Sequence, residues 1–233
     1  MTKEKAKNIA KALIFDSGTL INLSMNGLLP LLENLKKDFN GKFLITKEVK
    51  YETVDRPIGI YRFELGALRV SNLIERGILE MPSSIGISDE ELARETARLM
   101  EIANTTVSAK GTAVKIVSEA EISCLALSSK LAEKGTESLI AIDERTTRIL
   151  GEKGENLGRL MSDRLHQRVE VDESKLEEFS KFRFIRSSEI VYVAYKKGLL
   201  NIQGKKALEA ALYATKFKGS AISYEEIDVL KKM

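Results

Sequence analysis

Apolar residues along the chain fall either into brief continuous runs or into longer stretches with helical spacing. Residues 12–15 (Ala12, Leu13, Ile14, Phe15) form one such run, the mark of a strand buried on both faces, and it stops on Asp16-Ser17-Gly18. From 20 to 39 the leucines Leu20, Leu23, Leu28, Leu31, Leu32 and Leu35 recur at roughly helical intervals. Breaks at Asn26-Gly27 and Pro30 leave one helix or two, and Asn40-Gly41 closes the segment. Residues 42–45 predict a second strand and 47–54 a helix that Pro57 limits.

The same reading predicts a helix over 58–77, a short strand over 78–81 and a helix over 88–104 opening on a Ser88/Glu91 capping box. The β-branched segment 105–117 reads as a loop or short edge. A helix over 119–133 ends at Gly135, and a strand over 138–142 again delivers an acid, Asp143, at its tip. Helices from about 145 and over 155–165, a strand over 168–171, an acidic linker over 172–179, a strand over 182–185 and helices over 187–197, 205–217 and 224–231 complete the pattern. Alternating strands and helices imply an α/β fold, a parallel sheet covered by helices on both faces, with ligands beyond the carboxyl ends of the strands. One domain over 1–233 is expected, with inserted helices.

Composition narrows the function classes. With 43% hydrophobic residues, 15 glycines and 3 prolines, the chain is globular rather than disordered or fibrous. The single cysteine, Cys124, cannot form an internal disulfide, and the single histidine, His166, leaves no parts for a histidine-based triad or a His-rich zinc site. Cys124 sits among Ile122, Leu125, Ala126 and Leu127 and reads as a small buried group, not a nucleophile. Lysines 3, 5, 7 and 11 precede an apolar run in the manner of a secretory leader, but the run is short and Asp16 ends it. No leader and no membrane-spanning helix is expected, and the reading is a soluble cytoplasmic protein. Neither a Walker-type phosphate loop nor a dinucleotide fingerprint is present.

A parallel sheet would converge Asp16, Glu52, Glu119 and Asp143 at one edge. Clustered carboxylates repel one another and gain from binding a hard cation such as Mg²⁺, which makes a bound water more acidic and offsets phosphate charge. Each acid also has a plain use: helix caps for Asp16 and Asp143, a helix N-terminus for Glu119, a solvated face for Glu52.

The string Leu13-Ile14-Phe15-Asp16-Ser17-Gly18-Thr19-Leu20-Ile21 resembles the opening of a PIN domain, the metal-dependent nuclease fold of many archaeal and bacterial RNases and toxin–antitoxin toxins. Similar blocks follow in order: 44–52, whose acid falls on Glu52 with Glu48 as the neighbouring alternative; Ser118-Glu119-Ala120-Glu121, with Ser118 where the family has glycine; 139–145 around Asp143; and 187–200. The resemblance covers about 12–54 and 117–200. It implies a PIN-like three-layer sandwich with a central, mainly parallel sheet, enlarged by a helical insertion at about 55–116 and C-terminal helices at about 201–233. It further implies an archaeal-type, Mg²⁺- or Mn²⁺-dependent endoribonuclease with Asp16, Glu52, Glu119 and Asp143 as catalytic metal ligands. Ser187 or Ser188 would support a carboxylate or a metal-bound water.

RNA is the implied partner, with Arg145, Arg186, Lys196 and Lys197 as candidate phosphate contacts. A homo-oligomer and an antitoxin-like protein partner both stay open. The wider basic cluster (Lys205, Lys206, Lys216, Lys218, Arg183) reads equally as a solubilising face, and with no tryptophan and 6% aromatics base stacking has little to draw on. The alternative is a catalytically inactive PIN-like or KH-like module that binds RNA or protein. Gly151-Glu152-Lys153-Gly154, between two helices and two strands, has the order of a KH backbone grip, although its glutamates oppose a phosphate and helix-terminal glycines are common.

Overall fold

The computed structural model describes residues 10–202, 204 and 206–233. The basic opening and Lys205 lie outside these described residues. Strand β1 (Lys11–Phe15) leads into α1 (Ser17–Met25) and α2 (Pro30–Asp38), which settles the leucine-rich segment as two helices. Gly27 turns between them at φ +67°, a conformation that side chains resist, and Pro30 takes the first position of α2. Strand β2 (Lys42–Leu44) and α3 (Lys47–Lys50) follow. The expected helix over 47–54 does not stay α-helical: Tyr51–Asp55 widens into a π-turn, in which Arg56 N–H reaches back to Tyr51 carbonyl.

Residues 55–116 contribute α4 (Tyr61–Glu75), α5 (Asp89–Thr106) and a hairpin, β3 (Val107–Ala109) with β4 (Thr112–Ala113), turning on Lys110-Gly111 with both φ positive. The strand expected over 78–81 shrinks to a single bridge from Glu80 to Leu44, because Pro82 starts a 3₁₀ turn. After it come α6 (Glu119–Glu133), β5 (Glu137–Ala141), α7 (Arg145–Ile149), α8 (Gly154–Leu165), β6 (Glu170–Val171), a 3₁₀ helix over Glu173–Phe179 in place of the linker, and β7 (Phe184–Ile185). Helices α9 (Ser187–Lys196), α10 (Ala207–Phe217) and α11 (Tyr224–Lys232) close the chain.

The fold is α/β. Its central sheet has strand order β2-β1-β5-β7, all parallel, while β4-β3-β6 forms a separate small antiparallel sheet. Buried Ile14, Phe15, Leu44, Ile140 and Ile142 join Leu125 and Leu127 of α6 in one large core, which also takes in Leu92 and Leu99 of α5. A lesser cluster, Leu208, Leu212, Ile222 and Ile227, seats the C-terminal helices. No helix among the described residues is long and apolar enough to cross a membrane.

Candidate active site

From β1 the chain moves to β2 on one side and later to β5 and β7 on the other, so the order reverses between β1 and β5. In open parallel sheets ligands bind at such a reversal, beyond the strands' carboxyl ends. Asp16 leaves β1 with its N–H bonded to Ala141 carbonyl, and Asp143 lies two residues beyond β5. Asp16 is the N-cap of α1: Oδ2 accepts from Gly18 N–H at 3.0 Å. Its other oxygen, Oδ1, is buried and has no hydrogen-bond partner among the described residues. Burial pushes the Asp16 carboxyl up to about 7, helped by the charges of Glu121 and, less strongly, Glu52, against the pull of the Gly18 and Ser17 N–H groups.

Glu52 stands on the π-turn, and its Oε2 accepts from Ser17 Oγ at 2.6 Å. Thr46 sets up this helix: its Oγ1 caps Val49 N–H and pairs with Ser123 Oγ of α6 at 2.6 Å. Glu121 sits in the first turn of α6, where a reciprocal capping box with Ser118 bends its side chain back to the helix start. Glu121 Oε2 accepts from Ser118 N–H at 3.0 Å and Thr147 Oγ1 at 2.9 Å. Burial is the main force raising the Glu121 carboxyl, with Glu144 and Glu52 adding repulsion. Glu48 also has a buried oxygen, Oε2, without a partner among the described residues. Asp16, Glu121 and Glu48 all raise the fully buried Cys124 thiol, behind burial itself, so Cys124 is an inert wall of this region.

Of the four expected ligands, Asp16 and Glu52 come together. Glu119 is exposed on the outer side of the first turn of α6, and Glu121, two positions on, bears on Asp16 instead. Asp143 is buried at the same edge, but both its oxygens serve the scaffold: Oδ1 accepts from Ser187 N–H at 2.8 Å and Oδ2 from Asn22 Nδ2 at 2.9 Å. Ser187 Oγ also accepts from Asn22, whereas Ser188 Oγ accepts from Ser220 Oγ at 3.2 Å and holds no acid among the described residues. Among the described residues no three Asp, Glu, His or Cys side chains are set at the geometry of a bound metal ion. What the site does hold is one buried Asp16 oxygen without a partner among the described residues and the charges of Glu121 and Glu52 bearing on that carboxyl.

The basic candidates separate. Arg145 is exposed at the start of α7, next to Asp143. Arg186 is buried at the N-cap of α9, paired with Glu189 at 2.7 Å and Glu226 at 2.9 Å and donating to Ala221 carbonyl, so its charge is spent inside the fold. Lys196, at the far end of α9 and about 14 Å along it from Ser187, donates to Met233 carbonyl; Lys197 pairs with Asp38 at 3.2 Å. The Gly-x-x-Gly turn is closed by the chain itself: a Cβ at Gly151 would lie 2.7 Å from Phe179 carbonyl oxygen, and one at Gly154 would lie 2.7 Å from a Glu173 carboxylate oxygen. The strands on either side of it, β5 and β6, also belong to different sheets.

Sequence reasoning missed Glu121 and Glu144. The signal for Glu121 was the Ser118-x-x-Glu121 box, since the third residue of a boxed helix folds its side chain back onto the N-cap N–H. No family model, curated protein or solved structure matches this chain.

Proposed function

We propose that this protein is a PIN-like, divalent-metal-dependent ribonuclease whose reaction centre is Asp16 with Glu52 and Glu121. The single observation that carries the reading is the Asp16 carboxylate: buried at the sheet's switch point, one oxygen unpartnered among the described residues, raised toward neutrality by burial and two neighbouring acids. Once ionised, such a group is costly unless a proton or a cation answers it. Mg²⁺ or Mn²⁺ would be held by Asp16, Glu52 and Glu121 and would supply a more acidic water and relief of phosphate charge.

The chain's own residues do the positioning. Ser17 holds Glu52, Ser118 and Thr147 hold Glu121, and Asn22 with Ser187 pins Asp143 as a structural anchor at the same sheet edge. Exposed Arg145 supports a phosphate contact at the rim. Purified Asp16→Asn protein, offered RNA with Mn²⁺, loses cleavage by about 100-fold or more while keeping its fold. Unchanged Mn²⁺-dependent cleavage would overturn the proposal.

A second reading, a catalytically inactive RNA-binding module of the same fold, is favoured by the full hydrogen bonding of Asp143 and the absence of preset metal geometry among the described residues. It predicts RNA binding that a chelator leaves intact and no cleavage at any Mn²⁺ concentration.

A further inference from the structure

Helix α4 is apolar on two faces. Ala67, Val70 and Leu73 are buried against the rest of the fold, and on the opposite side Tyr61, Leu65 and Leu68 stand 96%, 61% and 53% exposed. Asn72, also exposed, continues the outer stripe, and Glu75, at the next place in the repeat, ends it. The steps from Tyr61 to Leu65, Leu68 and Asn72 are four, three and four residues, the spacing by which two helices pack alongside each other. Charges are sorted by flank: Arg62 and Arg69 border the stripe on one side and Glu64 on the other. None of these three forms an ion pair among the described residues, whereas Arg76, just beyond α4, is neutralised by Glu33 at 2.7 Å. Exposed Ile58 and Ile60 extend the apolar surface into the turn before the helix.

We infer that a second copy of this chain docks on the outer face of α4, the two helices running parallel about a two-fold axis. In that arrangement each Glu64 faces the partner's Arg69, five positions further along, so the face complements itself and the ion pair forms twice. The two Asn72 side chains meet across the axis, where paired amides fix the register. An antiparallel pairing would instead set one arginine flank against the other. The sorted charges also favour a second copy over a uniformly acidic helix, which would answer Arg62 and Arg69 but be repelled by Glu64. From Tyr61 to Asn72 the stripe covers about 16 Å of helix, which places the association in the weak, reversible class. Such pairing is independent of the nuclease chemistry.

Sedimentation velocity on the full chain, over about 1–200 µM, is expected to show a monomer–dimer equilibrium. Leu65→Glu, at an exposed position, keeps the circular dichroism of the wild type and raises the dissociation constant about 100-fold. Glu64→Arg or Arg69→Glu alone raises it about tenfold, and the two together bring it back to within about threefold of wild type. Asn72→Cys, mildly oxidised, is captured as a disulfide-linked dimer, because parallel two-fold packing brings residue 72 against its own copy while the native Cys124 is fully buried. A chain still monomeric at about 200 µM, or a dimer that Leu65→Glu leaves intact, would overturn the inference. So would a combined charge reversal that associates no more tightly than the single ones, or Asn72→Cys protein that dimerises yet stays unlinked, since each removes the parallel register.

Discussion

Ser17 Oγ donates a 2.6 Å hydrogen bond to Glu52 Oε2, joining the first residue of α1 to a π-turn 35 positions later in the chain. The bond holds a carboxylate whose charge bears on Asp16, already destabilised by burial, and hydrogen bonds to a charged acceptor are worth about 1.5–3 kcal/mol. Ser17→Ala should therefore loosen Glu52 and weaken Mn²⁺ binding by about tenfold, read by isothermal titration calorimetry. Unaltered affinity would show that Glu52 finds its place without this bond.

Asp16 makes stability depend on pH in a definite sense. Its carboxyl lies near 7 in the folded chain against an ordinary 3.8, so between those values the folded state keeps a proton that the unfolded state releases. The stabilising contribution is complete below about pH 4 and is lost as pH rises through about 7; its ceiling is about 4 kcal/mol. In EDTA, calorimetry should show the gap in melting temperature between Asp16→Asn and wild type widening in favour of the variant from about pH 5 to about pH 8. Addition of Mn²⁺ at the higher pH should raise the wild-type melting temperature and leave the variant nearly unmoved. A gap independent of pH would contradict this account of Asp16.

Glu121 and Glu119 should behave oppositely. Glu121→Gln removes a charge that bears directly on Asp16, and Mn²⁺-dependent cleavage is expected to fall by about 100-fold, whereas Glu119→Gln stays within about twofold of wild type. The reverse order would restore Glu119 as the third acid.

Asn22 is fully buried and donates to Asp143 Oδ2, Ser187 Oγ and Thr215 carbonyl, tying α1 to the ends of β5, α9 and α10. Asn22→Leu leaves these acceptors short of a donor and should cost about 2–4 kcal/mol in urea unfolding. A loss under about 0.5 kcal/mol would mean that water replaces the amide.

Arg186→Ala strips the shared partner from Glu189 and Glu226 and should loosen the C-terminal helices, lowering stability by about 2–4 kcal/mol. RNA affinity, measured well below the melting temperature, should hardly change, since this guanidinium faces inward. Arg145→Ala should do the opposite, sparing stability and weakening RNA binding several-fold.

The sequence by itself determined the alternation of strands and helices, the acids at the tips of β1 and β5, the helix starting at Glu119 and the buried character of Cys124. These follow from local physics: apolar runs, capping residues and glycine or proline breaks act within a few positions of themselves. The π-turn under Glu52, the transfer of β6 to a second sheet and the choice of Glu121 over Glu119 depended on what lay opposite in space. Likewise only tertiary packing decided that Asp143 and Arg186 would be held by distant Asn22, Ser187, Ala221 and Glu226 while Asp16 kept one oxygen without a partner among the described residues. Whether a charged group is free or spent is a property of its neighbours, and those neighbours are brought together by the fold rather than by adjacency along the chain.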